Sequence, residues 1–234
     1  MKISEDILKD KGITYVQKYP YEELSREARN GKRHYATPDG RSVPSVTTVL
    51  SATKDMTHLH AWRKRIGEAR AQQISQESAN IGTVMHRSLE KHVKGEDRTP
   101  GSNLVQQKGW AMANVIIENG LSDVSEVWGS EISLYYPELY AGTTDLVGVC
   151  HGVPHIFDFK QARKLKKKEW IEDYFLQCTA YGIAHNKLFG TDIRSGRIFI
   201  CTQKNEYQTF EVDNWDYWSD QWFRRVEQYY KSIL

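Results

Sequence analysis

The residues best suited to chemistry form an acid–lysine pair inside an apolar run. Asp158 and Lys160 stand in the segment HIFDFK, where Phe alternates with charged residues as it does in a β-strand. On a strand the two charged side chains share one face, while Phe157 and Phe159 are buried on the other. Burying a carboxylate and an ammonium costs free energy, so a buried pair of this kind suggests a function. The alternative interpretation is a surface ion pair or a charged edge strand.

A second acid precedes this pair at a distance that suits a β-hairpin. Asp145 ends the stretch GTTD and lies on the predicted strand before Asp158. Because the arms of a hairpin run side by side, the two carboxylates can lie opposite each other. Two carboxylates at a sheet end offer the hard oxygen ligands that Mg²⁺ and Mn²⁺ prefer. Glu131, on the strand before these, adds a third acid, and a solvated edge residue is an equal alternative for it.

Two predicted helices carry polar pairs spaced so that both members share a face. His86 and Glu90 lie on the helix GTVMHRSLE, whose small first residues allow close approach to another element. Gln177 and Tyr181 lie on the helix that follows the acid–lysine strand. Gln both donates and accepts hydrogen bonds, and Tyr can donate one to a phosphate. Ordinary polarity of a helix surface explains either pair when it is taken alone.

The composition excludes several classes of protein. The chain has 234 residues, of which 39% are hydrophobic and 12% aromatic, as in a folded globular protein. Its net charge, 32 − 30 = +2, identifies no partner. No stretch approaches the roughly 18–20 apolar residues of a membrane span, and the opening MKISEDILKD lacks the apolar core of a signal peptide. The three cysteines have no CxxC spacing, which argues against zinc-ribbon, iron–sulfur and disulfide scaffolds and for a reducing, cytosolic compartment.

The predicted elements build a mixed α/β core around the acidic residues. Helical patterns cover residues 59–76, 82–93, 103–119, 170–188 and 213–232. Strand patterns cover residues 127–136, 140–150, 153–160, 196–202 and 207–212. The chain is therefore predicted to be one domain, with a helical N-terminal part over about 1–120, a sheet core over about 126–212 and a C-terminal helix over 213–234.

Together, the motifs follow an order that resembles the PD-(D/E)xK nuclease superfamily and, within it, the RecB-type exonuclease branch. The order is G-T-x-x-H-x-x-L-E, an isolated Glu, G-x-x-D, D-x-K and Q-x-x-x-Y. The segments YATPDGRSVPSVTTVLS and HAWRKRIG resemble the N-terminal part of phage exonucleases and of the mitochondrial genome maintenance exonuclease. The resemblance runs from Tyr35 to Asn186 and implies a restriction-endonuclease-like α/β fold, a small mixed β-sheet flanked by helices.

The resemblance also implies roles for particular residues. The implied catalytic set comprises Glu131, Asp145, Asp158, Lys160, Gln177 and Tyr181. The implied metal ligands are His86, Asp145, Asp158 and the carbonyl of Phe159. Lys160 resembles the residue that orients or polarises the attacking water, and Glu131 the acid that supports the metal through water. Gln177 and Tyr181 resemble the motif that braces the site and contacts DNA.

Two features depart from the superfamily pattern. Thr144 stands where the name-giving proline is found, a position that supplies backbone shape and no ligand. The four-cysteine cluster of some relatives is absent, so no iron–sulfur cluster is expected. The expected cofactor is Mg²⁺ or Mn²⁺, and the imidazole of His86 makes Mn²⁺ well tolerated.

Two basic clusters predict binding to DNA phosphates without sequence preference. The first cluster follows the D-x-K strand and comprises Arg163, Lys164, Lys166, Lys167 and Lys168. The second comprises Arg63, Lys64 and Arg65, beside Trp62. Such clusters otherwise form solvated surface, and Trp62 suits a hydrophobic core more often than a base-stacking site. Ser45 and Thr47 begin a helix whose N-terminus either faces a phosphate or is simply capped by Ser45.

These features predict a metal-dependent DNA exonuclease that acts from DNA ends through a metal-activated water. A structure-specific endonuclease and a catalytically silent DNA-binding module of the same fold are the alternatives. The expected partners are single- or double-stranded DNA with an end and replication or recombination proteins, with no membrane. The expected location is the cytoplasm, which is the host cytoplasm if the protein is phage-encoded.

Overall fold

A six-stranded mixed sheet is the central element of the computed structural model, which describes residues 13–234. The strands are β1 (Thr14–Tyr15), β2 (Arg26–Arg29), β3 (Lys32–Ala36), β4 (Ser42–Pro44), β5 (Val124–Tyr136), β6 (Tyr140–Cys150), β7 (Val153–Ala162), β8 (Gly196–Thr202) and β9 (Tyr207–Glu211). The α-helices are α1 (Val46–Thr53), α2 (Thr57–Ile66), α3 (Glu68–Val93), α4 (Leu104–Asn119), α5 (Glu172–Phe189) and α6 (Trp215–Lys231). The opening MKISEDILKD, predicted to be no signal peptide, lies outside the described residues.

The large sheet has the strand order β1-β5-β6-β7-β8-β9. Strands β5, β6 and β7 form an antiparallel meander, as the sequence predicts. Strand β8 lies parallel to β7, so the chain has to cross over between them, and α5 forms that connection. Strand β9 returns antiparallel to β8, and β1 adds a short parallel edge beside β5.

Hydrophobic cores lie on both faces of the sheet, so the molecule has three layers. One core packs α1, α5 and α6 against the sheet and contains the fully buried Trp222. The other packs α3 and α4 against the opposite face and includes Phe157 and Phe159. Because side chains alternate along β7, Asp158 and Lys160 lie on the face that α5 covers. The predicted division of this strand into an apolar and a charged face is confirmed.

The N-terminal part contains a second sheet, so the prediction of a helical part over about 1–120 is wrong in this respect. Strands β2, β3 and β4 pair antiparallel in that order. Asn30 and Gly31 form the turn between β2 and β3, with φ values of 51° and 71°. A two-residue loop with both φ values positive matches the right-handed twist of the strands, and Asn-Gly is the sequence that favours it.

The helices before the meander also differ from their predicted bounds. The predicted break between residues 76 and 82 does not exist, since α3 runs unbroken from Glu68 to Val93. The break lies instead at Gly67, where φ is 85°, a conformation that ends α2 and that glycine adopts freely. Gly82 stays helical, and a Cβ there would lie 3.5 Å from Gln161 Cγ, an ordinary contact, so α3 passes close to β7 at this point without requiring a glycine. The other predicted helices and strands agree with the structure to within a few residues at each end.

None of the helices within residues 13–234 combines the length and the apolar composition that a membrane span requires.

Candidate metal centre

The candidate site lies where the central sheet splits. Strands β6 and β7 pair from Cys150 and Val153 as far as Leu146 and Phe157. Beyond that point β6 continues along β5, and β7 continues along β8. Asp145 is the first residue of β6 past the split, and its Oδ2 accepts a hydrogen bond of 2.7 Å from the Phe159 backbone N–H. At this point the Asp145 carboxylate, in place of a backbone carbonyl of β6, accepts the hydrogen bond from β7.

Glu131 faces this opening from the neighbouring strand. The register that pairs Ser130 with Leu146 and Ile132 with Thr144 puts Glu131 across from Asp145. Its φ is 53°, a left-handed conformation that is rare for a residue with a side chain and unusual within a strand. Such strain costs about 1–3 kcal/mol and is concentrated at functional sites. Glu131 is half-buried, so it is not the solvated edge residue of the alternative interpretation.

His86 reaches the two carboxylates from α3. Its Nδ1 lies 3.3 Å from Asp145 Oδ1 and 3.8 Å from Glu131 Oε1. One ligand atom from each of the three residues lies within 4.8 Å of the others. Two carboxylates and an imidazole form a donor set that suits Mg²⁺ and, better, Mn²⁺. We call these three residues the metal cluster.

The electrostatics of the metal cluster favour a cation. Burial opposes protonation of His86, but the adjacent Asp145 carboxylate outweighs it and raises the histidine pKa to about 10. Burial likewise opposes the charge on Asp145, and the neighbouring His86 reverses that effect and lowers the carboxyl pKa. A proton on the imidazole therefore balances the carboxylates, and a divalent ion would supply the same counter-charge.

Lys160 and Asp158 form a second, buried pair beside the metal cluster. Lys160 Nζ lies 2.6 Å from Asp158 Oδ1 and 2.5 Å from Oδ2, and only 2% of Asp158 is exposed. Nζ also donates to Gln177 Oε1 at 3.3 Å and lies 5.0 Å from the ring centre of Tyr174. Burial disfavours charge on Lys160, but Asp158 and Asp145 raise its pKa, so the ammonium stays charged. Burial raises the pKa of Asp158 to about 6 against the opposing effect of Lys160.

Tyr181 lies on α5 and packs against β6 beside the opening of the sheet. Its side chain is buried, which raises its pKa well above the usual value and keeps the hydroxyl neutral. A Cβ at Gly142 would lie 2.8 Å from Tyr181 Oη, so the glycine of the G-x-x-D motif makes room for the tyrosine. This contact explains why two motifs that are far apart in the sequence belong to one site.

A cavity of about 580 Å³ joins these groups, and the small sheet forms its opposite wall. Its lining includes the metal cluster, Lys160, Gln177, Tyr181, Ser45 and Thr47, together with Arg26, Arg33, Tyr35 and Arg87. Arg26 Nη2 donates to Thr143 Oγ1 at 3.0 Å, which joins the small sheet to β6.

Ser45 accepts a hydrogen bond from Thr48 N at 3.0 Å, which confirms the N-cap interpretation. The sequence shows no clear strand pattern around Arg26 and Arg33, and Arg87 lies beside His86 on a helix where a cation is ordinary, so none of the three arginines is predicted at the site.

Some residues of the two predicted basic clusters line one cavity, and the others pair with acids or face solvent. The residues that line a second cavity, of about 690 Å³, include Trp62, Arg163, Lys164 and Lys166. Lys168 pairs with Asp213 at 2.5 Å, Lys167 lies 4.0 Å from Glu169, and Arg63 pairs with Glu68 at 3.2 Å. Arg65 is exposed to solvent. The interpretation of Trp62 as a core residue is wrong, since it is half-buried in a helix that buries none of its residues.

A second group of metal-binding residue types lies at the far end of β6. Ligand atoms of Asp123, Cys150 and His151 lie within 4.8 Å of one another. Arg197 Nη1, however, pairs with Asp123 Oδ2 at 3.1 Å, so a cation already occupies that carboxylate. Cys150, Cys178 and Cys201 are all free and buried. The metal cluster at the sheet opening is therefore the better-suited site of the two.

The structure brings the predicted catalytic residues together in two adjoining groups. The metal cluster is one, and Asp158, Lys160 and Gln177 form the other. Asp158 pairs with Lys160, and the Phe159 N–H donates to Asp145, which links the two groups. Neither a protein-family model nor a curated protein sequence matches the chain.

Proposed function

We propose that this protein is a Mg²⁺- or Mn²⁺-dependent deoxyribonuclease that hydrolyses phosphodiester bonds without sequence preference and acts from DNA ends. The observation that carries the proposal is the meeting, at one cavity, of a carboxylate–imidazole cluster and a charged lysine held by a buried acid. Membership of the PD-(D/E)xK superfamily, in its RecB-type exonuclease branch, is part of the proposal. The order of the motifs along β5, β6, β7 and α5 supports it.

The metal cluster would hold the ion. His86, Glu131 and Asp145 supply one ligand atom each, and Asp158 is a further carboxylate at the same sheet opening. When bound, a divalent ion supplies Lewis acidity toward a phosphate oxygen and a water. Three ligands leave room for both, because Mg²⁺ takes six ligands and retains waters.

Lys160 supplies a fixed positive charge beside the cavity. Its ammonium donates to Asp158 and Gln177, so its position is fixed before any substrate binds. A preorganised charge of this kind stabilises negative charge that develops on phosphate oxygens and orients an attacking water. Asp158 keeps the lysine charged and in place, which accounts for an acid buried beneath it.

The opposite wall of the cavity suits a polyanion. Arg26 and Arg33 line it, Arg87 lines the cavity from α3, and guanidinium groups bind phosphate in a two-pronged geometry. No feature of these contacts distinguishes one base from another, because they involve only charge and backbone geometry. We therefore expect binding that is independent of sequence and weakens steeply with salt.

The test is digestion of circular and end-labelled linear DNA with Mg²⁺, with Mn²⁺ or with EDTA. We expect loss of linear DNA only with metal, with circles spared. Lys160→Ala and Asp158→Asn should lower the cleavage rate by about 10²–10³-fold, since each removes a preorganised charge, and should still bind DNA. Lys187→Ala, which changes an exposed lysine on α5, is the matched control and should cleave normally.

The remaining outcomes decide between the alternatives. Cut circles would make the protein an endonuclease that uses the same site. DNA binding without cleavage in either metal would make it a non-catalytic DNA-binding module. Full activity of Lys160→Ala would overturn the assignment of the site itself.

A further inference from the structure

The second cavity lies outside the metal centre, at the carboxyl ends of the parallel strands β7 and β8. Its lining includes Trp62, Trp170, Arg163, Lys164, Lys166 and Lys204, and we call it the tryptophan–lysine groove. Strand β7 leads directly into it, since Arg163 follows the last residue of that strand. No acidic residue lines the groove in the part of the chain that the structure describes.

Among the described residues, four of the five cations that line the groove lack the acidic neighbours that surface lysines usually have, and the fifth, Lys108, pairs with Glu77 at 3.5 Å. No carboxylate pairs with Arg163, Lys164 or Lys204 among residues 13–234. Burial and then the nearby Lys54 lower the pKa of Lys166, as expected for a site with excess positive charge. The groove is therefore complementary to an anion with several charges spread along its length.

The backbone of the groove is held in place. Lys166 N donates to Gln208 Oε1 at 2.7 Å, and Gln208 Nε2 donates to the Lys166 carbonyl at 3.1 Å. These two bonds tie the loop after β7 to β9, so the basic side chains project from a fixed wall. The wall thus resembles a built binding surface more than a solvated loop.

Two tryptophans in the groove offer flat apolar surfaces. Trp170 is 61% exposed, which is high for the largest apolar side chain. Trp62 lies in α2, and none of the residues of this helix is buried. Trp62 is half-buried and Trp170 is exposed, and accessible aromatic rings between cations form the arrangement on which unpaired bases stack while their phosphates are neutralised.

We propose that the tryptophan–lysine groove binds unpaired nucleotides of a DNA strand, with bases stacked on Trp170 and Trp62 and phosphates on the surrounding cations. A duplex cannot use the tryptophans, because its base faces are already stacked on one another. An acidic peptide would use the cations but would leave both rings without flat partners. Single-stranded DNA is the occupant that uses both features of the groove.

The link between the groove and cleavage rests on the proposed function. Arg163 follows Lys160 by three residues along an extended chain, a separation of about 10 Å. A strand whose phosphate lies at the metal cluster can therefore extend into the groove over the next one or two nucleotides. The groove would then select the unpaired strand that the nuclease site receives.

The test measures binding in EDTA, where cleavage does not interfere. An oligothymidylate of about 12 nucleotides, within the usual span of a single-strand site, is compared with a duplex of the same length by fluorescence anisotropy. Trp170→Ala should weaken binding of the oligothymidylate about tenfold and reduce its quenching of tryptophan fluorescence, with duplex binding unchanged. Lys204→Gln removes one phosphate contact, so the slope of log affinity against log salt concentration should become shallower by about one.

Matched controls and a competitor complete the design. Tyr217→Ala removes an aromatic residue of α6 that is 48% exposed, and Lys187→Gln removes an exposed cation of α5; neither should change binding. Equal losses for duplex and oligothymidylate in Trp170→Ala would overturn the proposal. So would polyglutamate that binds as tightly as the oligothymidylate and is equally weakened by this variant.

The outcomes separate this proposal from the proposed function. If cleavage requires Lys160 but Trp170→Ala binds the oligothymidylate normally, the nuclease assignment stands and the groove proposal fails. If the protein cleaves no DNA but Trp170→Ala loses the oligothymidylate selectively, the groove proposal stands and the nuclease assignment fails.

Discussion

At the scale of single residues, Glu131 shows a conflict between stability and the metal cluster. Its backbone is left-handed in the interior of β5, where no turn requires this conformation. Its carboxylate also lies across from Asp145, and the His86 imidazole lies near both acids. The strained backbone destabilises the folded chain, and it is explained if a cation bound by the cluster offsets its cost.

Glu131→Gly should therefore stabilise the protein while impairing metal binding. Glycine adopts a φ of 53° without steric cost, so we expect the free energy of unfolding in EDTA to rise by about 1 kcal/mol. Thermal or urea unfolding in EDTA measures this, and titration with Mn²⁺ should show weaker stabilisation of the variant than of the wild type.

The control for Glu131→Gly is His151→Gly. His151 has a similar φ of 49°, lies outside the metal cluster, and has a side chain that is 66% exposed. This variant should gain stability to a similar extent and keep its response to Mn²⁺. A loss of stability in Glu131→Gly would show that the side chain contributes more to folding than the strained backbone costs.

At the scale of elements, the close packing of α3 against α4 sets the position of His86. Gly109 of α4 lies against α3, and a Cβ there would come within 2.7 Å of the Val84 side chain and 2.9 Å of the Ile81 carbonyl. Val84 is two residues from His86 along α3. A change in the separation of the two helices therefore moves the imidazole relative to the carboxylates of β5 and β6.

Gly109→Ala should thus destabilise the protein, although alanine is the better helix former by about 1 kcal/mol. Overpacking of this kind costs about 1–3 kcal/mol, which outweighs the gain in helix propensity. Urea unfolding measures the loss. The double variant Val84→Ala/Gly109→Ala removes the main clash and should recover part of the stability, whereas losses that simply add would rule out a contact between these positions.

The elements also show what the sequence can and cannot predict. The meander β5–β7 and the face shared by Asp158 and Lys160 follow from alternation, which is a local signal. The hairpin of β2 and β3 carried a local signal as well, the Asn30-Gly31 pair, but its short strands expose most of their residues and show no clear alternation. The strained φ of Glu131 and the placement of Arg26 and Arg33 at the cavity depend on tertiary contacts, so no local sequence pattern predicts them.

At the scale of the whole molecule, His185 joins the N-terminal segment to the central layers. It lies on α5 and is fully buried among the rings of Tyr19, Trp128 and Phe189. Its Nε2 lies 3.0 Å from the Tyr21 hydroxyl, and its Nδ1 lies 2.8 Å from the Thr191 hydroxyl. The segment before β2, helix α5 and strand β5 therefore meet at one imidazole.

This imidazole is held neutral. The Thr191 hydroxyl donates to Asn186 Oδ1 at 2.7 Å, so it accepts from His185 Nδ1, and the Tyr21 hydroxyl donates to Nε2. Protonation would remove the acceptor that Tyr21 uses and place a charge among aromatic rings. Burial accordingly lowers the pKa of His185 from 6.5 to about 4.

The stability of the molecule should therefore fall as the pH drops from 6.5 toward 4. In this range the unfolded chain binds a proton at His185 and the folded chain does not, so acid favours unfolding. The contribution is complete above the unfolded pKa of 6.5 and disappears near the folded value of about 4, with a size of about 1–3 kcal/mol. Urea unfolding of the wild type and of His185→Gln across this range measures it, because other titrating groups affect both proteins alike. The variant should be less stable at pH 7 and lose less stability on acidification, and parallel pH profiles would show that His185 is protonated in the folded protein as readily as in the unfolded chain.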